Sequence, residues 1–220
     1  MTFRIARTNV NKNPFIGLFM RANDSILLVS PRLQAATIKE AAGILDVKPL
    51  SIFVDESPYL GLFSALNSNG CVLPRLCTER ETRALKKAGL NVCSLASPHA
   101  PGNTILCNDN AALASPAIPK KEAKRAADAL GVEVLQQSFG GLASFAATSA
   151  VTNRGLLTYN DLTEAELKHL EKLFKVHAVI GTTNFGVPYN SLSVVANSRG
   201  ALAGDKCTGF EMQRVFEAFS

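Results

Sequence analysis

The chain has 220 residues, a formal net charge of +5, no Trp, and 47% hydrophobic residues, which is the composition of an ordinary globular protein. It holds no run of about 18 apolar residues, so no membrane span is expected, and Met1 to Asn11 lacks the apolar centre of a signal peptide. Cysteines stand at 71, 77, 93, 107 and 207 with no Cys-x-x-Cys pair, which points to reduced, partly buried thiols in a cytoplasmic protein.

In chain order, the first element is a short strand-like segment, Thr2 to Ala6, that belongs to no obvious unit. A strand-like run Phe15 to Met20 follows, then an Asn23 turn, then the run Ser25-Ile26-Leu27-Leu28. Next come a helix start at Thr37 with Glu40 and a further strand, Leu50 to Val54. The second unit repeats this with Leu60 to Phe63, Asn67 and Asn69, Gly70 to Leu73, Thr78 with Glu81, and Val92 to Leu95. The third reads Thr104 to Cys107, Asn108 and Asn110, Ala111 to Ala114, Pro119 with Glu122, and Val132 to Leu135. The fourth reads Ser144 to Ala147, Asn153, Gly155 to Thr158, Thr163 with Glu166, and Val176 to Ile180. The fifth reads Leu192 to Val195, Asn197, Gly200 to Ala203 and Thr208 with Glu211, and the chain stops after its helix.

A helix start therefore recurs five times at steps of about 41 to 45 residues, in the range of an internally repeated architecture. Thr-x-x-Glu is the capping-box pattern, in which the hydroxyl accepts from the third residue's N–H and the Glu reaches back. The Asn residues, which tolerate positive φ, read as turn signals between two strands. Seven residues past each cap stands an apolar residue, Ile44, Leu85, Ala126, Leu170 and Val215, facing inward onto a sheet. Gly89 and Gly131 are stop signals. A single repeat of about 44 residues cannot bury its own apolar face, so residues 1–220 are expected to form one domain of five repeats. The spare N-terminal strand is expected to supply the strand that the fifth unit lacks and to close the ring, which removes exposed sheet edges. Such a ring needs no second copy, so a monomer is expected. The loops 55–59, 96–103, 138–142 and 182–190 should gather on one face.

Charge is uneven: residues 1–125 carry 16 Lys/Arg against 9 Asp/Glu, and the remainder 7 against 9. A basic side would favour a polyanion such as RNA, with Arg75, Arg80 and Arg83 within reach of phosphate; a solvated basic face explains the same residues. His99, His169 and His177 show no metal-ligand spacing, and the chain has no Walker loop, dinucleotide fingerprint or nucleophile elbow, so no metal and no cofactor is expected.

The segments Gly70 to Pro74 with Thr78 to Glu81, Gly102 to Leu113, Gly181-Thr-Thr-Asn184, and Asn197 to Gly200 with Thr208 to Glu211 resemble the translation initiation factor 6 family over essentially the whole chain. The end at Ser220 is similar to the archaeal branch. The first unit, Arg21 to Ser25 leading into Pro31 to Gln34, departs from the family pattern. The resemblance implies a pentein fold, a fivefold pseudosymmetric α/β propeller, and a non-enzymatic role in translation initiation and ribosome biogenesis. It implies binding to the large ribosomal subunit, through a ribosomal protein of the L14 type and nearby rRNA, that sterically blocks joining of the small subunit. Exposed polar residues on rigid loops would carry docking: Asn103, which matches the family's Gly-Asn element, with Asn108, Asp109, Arg154, Asn184 and Arg199. The alternative is a pentein enzyme acting on a guanidino substrate with Cys207, at a helix start, as nucleophile. No His directly precedes Cys207, and a structural cysteine is the simpler reading.

Overall fold

The computed structural model describes residues 2–159 and 161–220. These form five three-stranded sheets, each with the same internal order. In the first unit β2 (Met20–Ala22) pairs antiparallel with β3 (Ile26–Val29), which pairs parallel with β4 (Lys48–Ser51) across helix α1 (Ala35–Leu45). The second unit uses β5 (Ala65–Leu66), β6 (Gly70–Leu73), α3 (Glu79–Lys87) and β7 (Asn91–Ser94) in the same way. The third uses β8 (Ile105–Cys107), β9 (Ala112–Ala114), α5 (Lys120–Leu130) and β10 (Val134–Gln136). The fourth uses β11 (Ala150–Val151), β12 (Gly155–Thr158), α7 (Glu164–Phe174) and β13 (His177–Ile180).

In the fifth unit β14 (Val194–Ala196) and β15 (Gly200–Gly204) are followed by α9 (Gly209–Phe219), and the third strand comes from the other end of the chain. β1 (Arg4–Thr8) pairs parallel with β15 from Arg4 opposite Gly200 to Thr8 opposite Gly204. The expected strand donation is present, shifted two residues along the chain.

Two expectations need correction. The runs Phe15 to Met20, Leu60 to Phe63 and Ser144 to Ala147, read as strands, contain short helices: a 3-10 turn at Ile16–Leu18, α2 (Leu60–Phe63) and α6 (Phe145–Thr148). Equivalent turns are α4 (Pro101–Thr104) and α8 (Asn190–Ser193), and the strands begin only after them. A four-residue apolar run carries no periodicity that separates strand from helix. The second error is a slip of three residues in the first unit. Gln34, not Thr37, is the N-cap of α1, and Thr37 lies inside the helix. The inward residue seven beyond the true cap is Ala41, buried like Leu85, Ala126, Leu170 and Val215, whereas Ile44 is only partly covered. Capping boxes do form at Thr78, Thr163 and Thr208, and Pro119 caps α5 without a side-chain bond.

Each long helix also leans on the sheet of the preceding unit. A Cβ on Gly70, Gly155 or Gly200 would meet the carbonyl of Ala129, Ala218 or Ile44 at 2.1, 1.5 and 2.6 Å, so only glycine lets helix and strand approach this closely. Five apolar clusters fill these sheet–helix contacts.

Candidate interaction faces

Two sets of loops mark the opposite ends of the sheets. At one end lie the β–β turns. Asn23, Asn67, Asn108 and Asn197 are buried there and have ordinary negative φ, so the positive-φ reason for their presence is wrong. Their side chains do the work of the turn. Each Oδ1 accepts the N–H groups two and three residues on, as Asn67 does from Asn69 (3.1 Å) and Gly70 (2.9 Å). Each Nδ2 donates to the next turn: Asn23 to the Asn67 carbonyl (2.8 Å), Asn67 to Asn108 (3.1 Å), Asn108 to Thr152 (3.1 Å), and Asn197 back to Asn23 (3.1 Å). The same amides reach the otherwise unpaired carbonyls of Leu130, Phe174 and Leu45 at helix ends. In the fourth unit Thr152 takes the place of Asn, and Asn153 bridges the carboxylates of Asp24 (2.9 Å) and Asp109 (2.6 Å).

Four expected docking residues lie at this turn end. Asn108 is buried and fully engaged in the circuit, and Asp109 accepts from Ser68 N–H at 2.7 Å and from Asn153. Arg199 donates to the carbonyls of Leu45 and Asp24 and sits 3.7 Å from the Asp46 carboxylate. Arg154 is exposed, with one long bond to the Ser198 carbonyl (3.5 Å).

At the opposite end lie the inter-unit loops, which gather on one face as expected. The N3 glutamates bind them. Glu81 accepts from the Asp55 and Glu56 N–H groups, Glu122 from Ala96 and Ser97, Glu166 from Gly140, and Glu211 from Phe185 (3.1 Å) and Gly186 (2.8 Å). The capping box is thus also the clasp between units. Burial alone would raise the Glu81, Glu122 and Glu211 carboxyls, but the converging N–H groups outweigh it and hold them below the ordinary carboxylate range. A depressed carboxyl stabilises the fold above its unfolded pKa, and that contribution disappears as pH falls through the depressed value, below about 4.5. Glu211→Gln leaves one acceptor oxygen where the N–H groups of Phe185, Gly186 and Thr208 converge. The expected cost at pH 7 is about 1–3 kcal/mol by denaturant unfolding, narrowing at pH 3. Equal midpoints at pH 7 would remove the clasp from the argument.

Asn184 and Asn103 belong to this loop end, so the six expected residues do not share one surface. Asn184 is buried, has φ of 50°, and donates to the Pro14 carbonyl (3.0 Å) and Ser193 Oγ (3.0 Å). Asn103 lies inside the short helix α4, next to the loop 96–100, and its Oδ1 is covered without a hydrogen-bond partner. What sequence reasoning missed here is apolar. Phe185 is 82% exposed, Leu76 72% and Phe210 70%, with Tyr59 and Tyr189 about half exposed. Phe185 has φ of 66°, rare for a bulky residue, and its loop is pinned by Glu211 next to Phe210. The available signal was Phe210 at the second helical position after a Thr cap, which faces outward.

Cys207 is 2% exposed, accepts from the Asn184 N–H at 3.2 Å, and is pushed up to about 11, chiefly by burial. A buried, protonated thiol is not an activated nucleophile, so the geometry does not favour the guanidino-enzyme alternative. Among the described residues no group of three His, Cys, Asp or Glu could hold a metal, and no helix is long and apolar enough to cross a membrane.

The two ends thus present rigid loops clasped to a repeated scaffold, with exposed aromatics at one of them. The sequence profile of the eIF-6 family matches residues 5–218, and the chain belongs to that family. It is 34% identical to translation initiation factor 6 of Pyrococcus horikoshii over 221 aligned positions, covering 97% of each chain. It is 32% identical to that of Staphylothermus marinus, over 98% of this chain and 97% of the relative, and 31% to that of Thermoplasma acidophilum, over 98% and 100%. This membership supports a role as a translation initiation factor.

Proposed function

We propose that the protein binds the large ribosomal subunit and blocks its joining with the small subunit by occupying the joining face. Membership in the eIF-6 family, matched over residues 5–218, is the observation that carries this reading. In it the five units form one pentein ring, an α/β propeller that acts as a monomeric cytoplasmic wedge without catalysis, touching an L14-type ribosomal protein and neighbouring rRNA. The loop end is the docking face, because three large apolar side chains stand in the open there: Phe185 on its clasped loop, Phe210 in the first turn of α9 and Leu76 ahead of α3; Asn103 and Asn184 belong to the same end. The turn-end residues Asn108, Asp109, Arg154 and Arg199 support the ring from the other side.

Co-sedimentation with separated subunits in a sucrose gradient tests the function. Pelleting with the large subunit alone, and loss of subunit joining when the protein is added, are the expected results. Absence from every ribosomal fraction at low and moderate salt would overturn it. For the choice of face, Phe185→Glu with Phe210→Glu should weaken binding at least tenfold with an unchanged Tm, while Arg154→Glu should bind like the parent. The opposite pattern would move docking to the turn end.

A further inference from the structure

The five short helical turns meet around the centre of the molecule, with Gly17, Gly61, Gly102, Ala146 and Ser191 at the same position in each. Beneath them lies a cavity of about 40 Å³. Its wall takes residues from the inner strand of every unit: β2, β5, β8, β11 and β14. Arg21 is the charged residue of this wall, and the rest is mainly alanine, valine and leucine with the Cys107 thiol. Arg21 donates to Ser191 Oγ (3.2 Å), to the Gly61 carbonyl (2.7 Å) and, weakly, to the Gly102 carbonyl (3.5 Å). All three partners are neutral.

No Asp or Glu pairs with Arg21 among the described residues. The carboxylates of Asp24 and Asp109 are at the turn end, roughly 10 Å further along the inner strands, and are already held by Asn153, Ser68 and Ser198. Cys107 does not supply the counter-charge either, because burial pushes its thiol up to about 12. Of the five guanidinium N–H groups, Nε–H has no acceptor, and Nη1 makes a single bond. Arg21 is half-buried and borders this cavity, and burial pulls its pKa below the ordinary value. A charge placed this deeply needs a partner.

We propose that the central cavity binds a small monovalent inorganic anion of chloride size, with Arg21 as its counter-charge. The space exceeds the 10–15 Å³ or so that one water-sized sphere needs, so a chloride fits. An apolar wall with one cation disfavours a divalent oxyanion, whose second charge would be left unmatched. The site would tie the stability of the whole ring to one ion, since Arg21 bridges the first, second, third and fifth units.

The test compares thermal unfolding in sodium chloride and in sodium gluconate, an anion too large for the cavity, at equal ionic strength, for the parent and for Arg21→Leu. The parent should melt about 2–4 °C higher in about 0.2 M chloride, with saturation as chloride rises. Arg21→Leu should melt equally in both salts. Equal melting of the parent in the two salts, or a chloride effect that persists in Arg21→Leu, would overturn the proposal. Should that variant not fold, bromide anomalous diffraction from the parent decides. A bromide peak beside the guanidinium supports the site, and a cavity without one excludes it.

Discussion

Removal of residues 1–8 is expected to lower the melting temperature of the whole protein by about 10–20 °C, through loss of about 4–6 kcal/mol. The reason is positional. β1 is the third strand of the fifth sheet and pairs with β15 over five residues. Its loss leaves the β15 edge without a partner, and each net hydrogen bond contributes about 1 kcal/mol. It also removes Phe3, which packs edge-on against Phe216 at 6.0 Å, and Ile5, which packs on the cluster of Val179 and Phe219. Arg7 donates to the Cys207 carbonyl at 3.1 Å, so the α9 cap loosens as well. A terminal segment that merely frayed would leave the main calorimetric transition in place. An unchanged Tm in this truncation would refute the role of β1 as the closing strand.

Gly61→Ala is expected to cost at least about 3 kcal/mol and to lower Tm by roughly 6–12 °C. A Cβ at Gly61 would stand 1.6 Å from the Gly17 carbonyl oxygen, and one at Gly102 would stand 1.9 Å from the Gly61 oxygen. These obstacles are backbone, so no side chain can swing away, and the central turns must separate. Separation also breaks the Arg21 bonds to the Gly61 and Gly102 carbonyls. The fourth and fifth units carry Ala146 and Ser191 at the same place, so the centre is not truly symmetric. Gly43→Ala is the control: it lies exposed inside α1 with nothing within 4 Å of the added methyl, and should gain about 0.5–1 kcal/mol. If Gly61→Ala melts with the parent, the central turns are not rigidly packed.

Much of this organisation is carried by local patterns in the chain. The Thr-x-x-Glu pattern located α3, α7 and α9 because a capping box is a local device whose two halves lie three residues apart. It failed in the first unit, where Gln34 caps α1 and no Glu stands at the third position, and the chance pair Thr37 and Glu40 took its place. The Asn residues mark the turns, but the link each makes between units is invisible in the chain, since the acceptors of their Nδ2 groups lie 41 to 174 residues away. The choice of docking residues suffered from the same blindness: Asn108 and Asn184 look like exposed loop polars in sequence, yet both are buried and bonded.

Local patterns in the chain suffice for the five-unit plan, the sheet–helix alternation, the strand missing from the fifth unit with its source near the N-terminus, and the family. All of these rest on local patterns repeated at a constant period, which a linear chain displays openly. Which polar residues face solvent and which carry the turn circuit is settled by the folded arrangement. It alone showed that the cap glutamates clasp the loops, that Phe185 and Phe210 stand exposed at the same end, and that Arg21 lies uncompensated at the centre. Those properties depend on where five distant segments converge, and burial and charge balance exist only once they have met.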